Sequence, residues 1–118
     1  MLGIPGKHTL QESSDEFFIR VNGIFPYIKA LSYATSVNII KAKKREDKEE
    51  LIFDLEHNLV HLTNLVDKNM LNKIDDSNAI QACLWLINQI GAIREELGMQ
   101  GSDMVKDCHK RVIKKTNG

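Results

Sequence analysis

Apolar side chains recur at helical spacing along nearly the whole chain. Phe17, Val21, Ile24, Ile28 and Leu31 follow one another in alternating steps of four and three, the signature of a single helical face. Ser13 and Glu16 precede and open this run at the spacing of a capping box, in which the hydroxyl accepts from an early backbone N–H and the carboxylate reaches back. The stripe passes Pro26 without losing phase. A proline inside a helix lacks the N–H and crowds the preceding turn. The first helix is therefore expected to kink near Pro26, the alternative being that Gly23 ends a short piece and Pro26 opens a second. Its end is expected within Lys41 to Arg45, where cations suit the negative end of the helix dipole.

Asp47 and Glu50 repeat the cap spacing before a second stripe of Leu51, Leu55, Leu59, Leu62 and Val66, predicting a helix that runs to about Met70. The turn formers between Asn72 and Asn78 predict a loop, with Asp76 or Ser77 as the next N-cap. The third helix is apolar on most sides, from Ile80 through Cys83, Trp85, Leu86 and Ile90 to Leu97, and is expected at the centre of the fold; Gly98 provides a left-handed stop. Val105, Cys108 and Val112 mark a fourth helix with a basic end. No stretch alternates with period two between turn signals. The expected fold is all-α, an antiparallel four-helix bundle formed by residues 13–115, with flexible ends at 1–12 and 116–118.

Composition narrows the function. With 118 residues, 42% hydrophobic and 27% charged, the chain has the make-up of one globular domain. Sixteen basic and sixteen acidic residues cancel, so no global field draws it to nucleic acid or to an anionic membrane. Two cysteines, Cys83 and Cys108, sit inside apolar patterns, too few for a disulfide framework, and the first ten residues lack the apolar core of a secretion signal. A cytoplasmic location is expected. The longest apolar stretch, Ala79 to Ile93, is interrupted by polar residues and too short to span a bilayer.

The candidate chemistry lies on the second predicted helix. Asp54, His57 and His61 share one face at spacings of three and four, which would allow three metal ligands, but this face lies opposite the leucine stripe and has no counterpart on another helix. His57 or His61 could accept a phosphoryl group as in a phosphorelay, although neither is followed by the Lys-Gly pair of histidine phosphotransfer domains. Phe53 and Val60, seven residues apart, add an apolar element to the same outer face, with Leu71 as a further candidate. Phe53, Glu56, His57, Val60, His61 and Asn64 are therefore the expected contact residues for another protein or a second copy.

The basic runs Lys41–Arg45 and Lys106–Lys115 fall at opposite poles of the expected bundle, which makes nucleic-acid binding through the C-terminal helix the weaker reading. Gly-rich phosphate loops, Cys-x-x-Cys pairs and nucleophile elbows are absent. Cys108 and His109, adjacent on a helix, point about 100° apart and do not form a nucleophile and base. The expectation is a non-enzymatic helical protein without a cofactor, of the immunity, chaperone or regulatory-adaptor type, that binds another protein through one helical face.

Overall fold

A computed structural model describes residues 14–68 and 71–117. The described residues form five helices and no strand: α1 (Ser14–Asn22), α2 (Ile24–Lys41), α3 (Arg45–Asp67), α4 (Lys73–Glu96) and α5 (Asp103–Asn117). The chain is all-α, and its helices pack as in a bundle. The cap expected at Ser13 and the flexible segment expected over 1–12 lie outside the described residues, as does Gly118; α5 continues through Asn117.

The first expected helix is two helices, broken at Gly23 rather than kinked at Pro26, and this accounts for five elements in place of four. Gly23 takes φ 87° and ψ 167°, a backbone region that essentially only glycine occupies. Its N–H still closes α1 onto the Ile19 carbonyl at 2.7 Å, while its own geometry starts α2. The break resolves the proline problem. Pro26 becomes the third residue of α2, where a backbone N–H has no acceptor within the helix, and its ring no longer meets the carbonyl of Asn22 in a continuous turn. The apolar phase changes with it: Ile19 and Ile24 are buried, Phe17 is half-buried, and Val21 is exposed.

Other boundaries shift for local reasons. α3 starts at Arg45 behind Lys44, so Asp47 lies in the first turn as a dipole partner rather than as the cap. α4 starts four or five residues earlier than expected, because Asn72 rather than Asp76 or Ser77 caps it: its Oδ1 accepts from the Asp75 N–H at 2.8 Å. Asp76 is thereby inside the helix. The other end of α4 behaves as expected, with Gly98 at φ 71°, its N–H on the Glu95 carbonyl at 3.1 Å and the Met99 N–H on the Arg94 carbonyl at 2.8 Å. These two bonds are the Schellman pattern. Ser102 then caps α5, accepting at 3.4 Å from the Val105 N–H.

α3 and α4 both sit centrally, each packing against α2, α5 and the other. Leu55, Leu59, Leu62 and Val66 of α3 meet Cys83, Leu86 and Ile90 of α4, with Ile24, Cys108 and Val112 closing the core. The burial of α3 exceeds its leucine stripe, since Ile52, Thr63 and Leu65 are also buried. The Thr63 hydroxyl donates to the Leu59 carbonyl at 2.8 Å, satisfying a buried polar group within its own helix. Arg45 donates to the Leu97 carbonyl at 3.1 Å and Lys48 pairs with Glu96, which ties the start of α3 to the end of α4. Lys68 reaches Glu16 at 3.2 Å, joining the end of α3 to α1.

Candidate functional site

The outer strip of α3 is narrower than its sequence suggests, because α5 covers one edge and α2 the other. Of the six expected contact residues, Phe53 and His57 remain exposed, Phe53 to 70%. Val60 is half-buried and packs against the core. Leu71, offered as a continuation of the stripe, lies beyond α3 and also packs against the core.

Glu56 and Asn64 are engaged within the chain. The Glu56 carboxylate accepts from Arg94 Nη2 at 2.8 Å and from Nε at 3.2 Å, both side chains being mostly buried. Arg94 uses its remaining nitrogen on the Gln100 carbonyl at 2.8 Å, so a single guanidinium clamps α3, α4 and the α4–α5 connection together. Asn64 Oδ1 accepts from Arg111 Nη2 at 2.8 Å, and the Arg111 Nε donates to Asp67 at 2.7 Å. The hydrogen bond to Asp67 raises the Arg111 pKa above its ordinary value. These two arginine clamps fix the seam between α3 and its neighbours, and Phe53 stands exposed about one turn before the first of them.

His61 is half-buried beneath α2, its ring 6.3 Å from that of Tyr27 and tilted by 56°. Asp54 is exposed on the α2 side, where it lines a groove with Asn38, Lys41, Asp47 and Glu50. His57 points the other way, into a groove of about 180 Å³ that it lines with Phe53, Glu56, Val60 and Met104. The three residues offered as metal ligands are therefore spread over two grooves and a helix seam, and among the described residues no group of three His, Cys, Asp or Glu side chains could hold a metal ion.

The remaining candidates take ordinary places. Cys108 is buried and His109 exposed. Cys83 is buried, and burial pushes its thiol up to about 11, against a smaller lowering by the hydrogen bond with Thr63. Trp85 is half-buried against the core. Among the cations of α5, Arg111 is held by Asp67 and Asn64, while Lys106, Lys110 and Lys114 are exposed. No helix is long and apolar enough to cross a membrane among the described residues.

What sequence reasoning missed is Met104. It lies in the first turn of α5, 36% exposed, and supplies the far wall of the groove beside Phe53. Its place could have been found by asking which helix covers the Val60 side of α3, since Val60, Asn64 and Asp67 follow one another at spacings of four and three.

Comparison with protein-family models, curated proteins and solved structures returns no match.

Proposed function

We propose that this chain is a non-enzymatic protein-binding module of the adaptor, chaperone or immunity type, and that it docks its partner on the groove between α3 and α5. The observation that carries this reading is the Phe53 ring, 70% exposed beside His57, Val60 and Met104 on a surface that two arginine clamps hold in place. Large apolar side chains gathered on a rigid surface, with polar groups at their edge, are the pattern of a contact site. The docking residues are Phe53, His57 and Met104, with Val60 as the floor of the groove. Glu56 lines the groove and, with Asn64, holds its helices through the arginine clamps, while His61 belongs to the α2 seam.

Charge narrows the kind of partner. Glu46 on α3, and Asp103 and Asp107 on α5, are exposed carboxylates along the two helices that form the groove. A partner with an apolar side chain surrounded by lysines or arginines fits this surface, and its association would be fast and salt-sensitive. Two features support a reducing compartment such as the cytoplasm: Cys83 and Cys108 are both unpaired thiols, and both are buried. The antiparallel up-and-down course is supported by the short connections and by pairs such as Lys48–Glu96, which bring the first turn of α3 beside the last of α4.

The test is affinity capture from the native host with wild-type protein and with Phe53→Asp, followed by a binding titration with the purified captured protein. Burying the exposed part of the Phe53 ring is worth about 1–2 kcal/mol, so the variant should bind roughly five- to thirtyfold more weakly with unchanged helicity. Equal binding by the folded Phe53→Asp variant would remove this face from the proposal.

A further inference from the structure

α2 carries a second exposed apolar face that the docking groove does not use. Only Ile24 and Thr35 of its eighteen residues are fully buried. With each residue turned 100° from the last, Phe25, Pro26, Lys29, Ala30, Tyr33, Ser36, Val37, Ile40 and Lys41 fall on the side opposite Ile24 and Thr35, and all but the half-buried Val37 are exposed. Phe25 is exposed to 61%, Tyr33 to 75% and Ile40 to 73%. Lys29 and Lys41 are the helix's two charged residues, and Ala30 to Ile40 is an uninterrupted uncharged run.

We propose that this face pairs with the same face of a second copy, α2 against α2 in antiparallel orientation about a twofold axis at Tyr33. Three observations select a second copy as the occupant. The first is area. Phe25, Tyr33 and Ile40 together offer about 400 Å², and with their neighbours the face supplies roughly 500–600 Å² per copy, just over the ~1,000 Å² total that marks a specific interface. The second is self-complementarity. Counting outward from Tyr33, Pro26 falls opposite Ile40, Lys29 opposite Val37 and Phe25 opposite Lys41, so neither lysine faces a lysine and the Lys41 cation meets an aromatic ring. Ala30 and Ser36 flank the axis with small side chains, which lets the two helices approach closely around the tyrosines. The third is charge, since a chain with a formal net charge of zero does not repel its own copy.

An area at the lower limit for specific interfaces predicts a dimer that dissociates in the micromolar range. Sedimentation velocity of the full-length protein from about 1 to 200 µM should therefore move from the 13.4 kDa monomer to twice that mass. Tyr33→Asp and Ile40→Asp should each hold the protein at monomer mass over that range with an unchanged circular dichroism spectrum, because both side chains are mostly exposed. Geometry is read by oxidation. Cys83 and Cys108 are buried, so in Tyr33→Cys the new thiol is the accessible one. On the axis it should cross-link to its own copy, whereas Ile40→Cys, fourteen residues from its counterpart in the antiparallel pair, should not.

A wild-type protein that stays monomeric at 200 µM would overturn the proposal. So would a dimer that survives Tyr33→Asp but is lost on Phe53→Asp, which would move the interface to the α3–α5 groove. Equal cross-linking of both cysteine variants would rule out the antiparallel register.

Discussion

Glycine-to-alanine substitutions at two positions should change stability in opposite directions, for reasons visible in the backbone. At Gly23 an added Cβ meets nothing within 4 Å, so packing gives no reason for a penalty. The penalty comes from the dihedrals: at φ 87° and ψ 167° an L side chain is strained by about 1–3 kcal/mol. Alanine also restricts the unfolded chain, which offsets about 0.4–1 kcal/mol. The net expectation is a loss of about 1–2 kcal/mol. Gly91 is the matched control. It is an exposed position inside α4 with nothing within 4 Å of the added atom, and there alanine should stabilise by about 0.5–1 kcal/mol. The assay is urea unfolding of both variants and wild type followed by circular dichroism at 222 nm. With a slope of about 1–3 kcal/mol per molar urea, the two midpoints should lie on opposite sides of wild type, separated by about 1 M. A Gly23→Ala variant as stable as Gly91→Ala would mean that α1 and α2 are not broken at this residue, and the account of Pro26 would fall with it.

Arg94→Met should cost about 2–3 kcal/mol, since it leaves the mostly buried Glu56 carboxylate without its two charge-assisted bonds; in Glu56→Gln the same change should cost less, and a double-mutant cycle by urea unfolding measures the coupling. The exposed pair Arg45–Glu49 should by contrast contribute under about 1 kcal/mol, read as the small effect of Glu49→Gln in the same assay. Cys83 should resist aromatic disulfide reagents in the native state at pH 8 and react only at the rate of unfolding, because its thiol is buried and its pKa is about 11. Its raised pKa has a consequence for stability: a thiol harder to ionise in the folded state than at its usual 9.0 gives full stabilisation below pH 9 and loses it as pH rises towards 11. The slope of stability against pH between those values should be shallower in Cys83→Ala than in wild type, and equal slopes would refute the shift.

Much of the fold was legible because α3, α4 and α5 announce themselves by period. The leucine stripe from Leu51 to Val66 is buried as read, and Gly98 stops α4 through the Schellman bonds its position suggests. The failures share a cause. At Gly23 the apolar stripe continued in phase across the break, so periodicity favoured one helix, and what decided the matter was that a glycine can adopt a backbone state open to no other residue three positions before a proline. At Asn72 the turn-forming composition of residues 72–78 hid the fact that one asparagine suffices as a cap and that Lys73 to Asn78 are then tolerated in the first two turns, where Asp75 and Asp76 suit the helix dipole.

The candidate site was legible only in part, because a stripe on a single helix does not say which neighbours lean over its edges. Phe53 and His57 lie at the middle of the outer strip and stayed exposed, whereas Glu56, Asn64 and His61 lie toward its flanks and were taken up by Arg94, Arg111 and the α2 seam. Periodicity reports the direction of a side chain relative to its own helix. The reach of an arginine from another helix is a tertiary fact, and both clamps span more than thirty-five positions of sequence. The α2 face went unread because the stripe followed Ile24, Ile28 and Leu31, and Phe25, Tyr33 and Ile40 lie off it; α2 buries only Ile24 and Thr35, and its weak packing against α3 leaves the other side uncovered. Phe25, Tyr33 and Ile40 thus stand as exposed apolar surface on α2, which the proposed pairing with a second copy would cover.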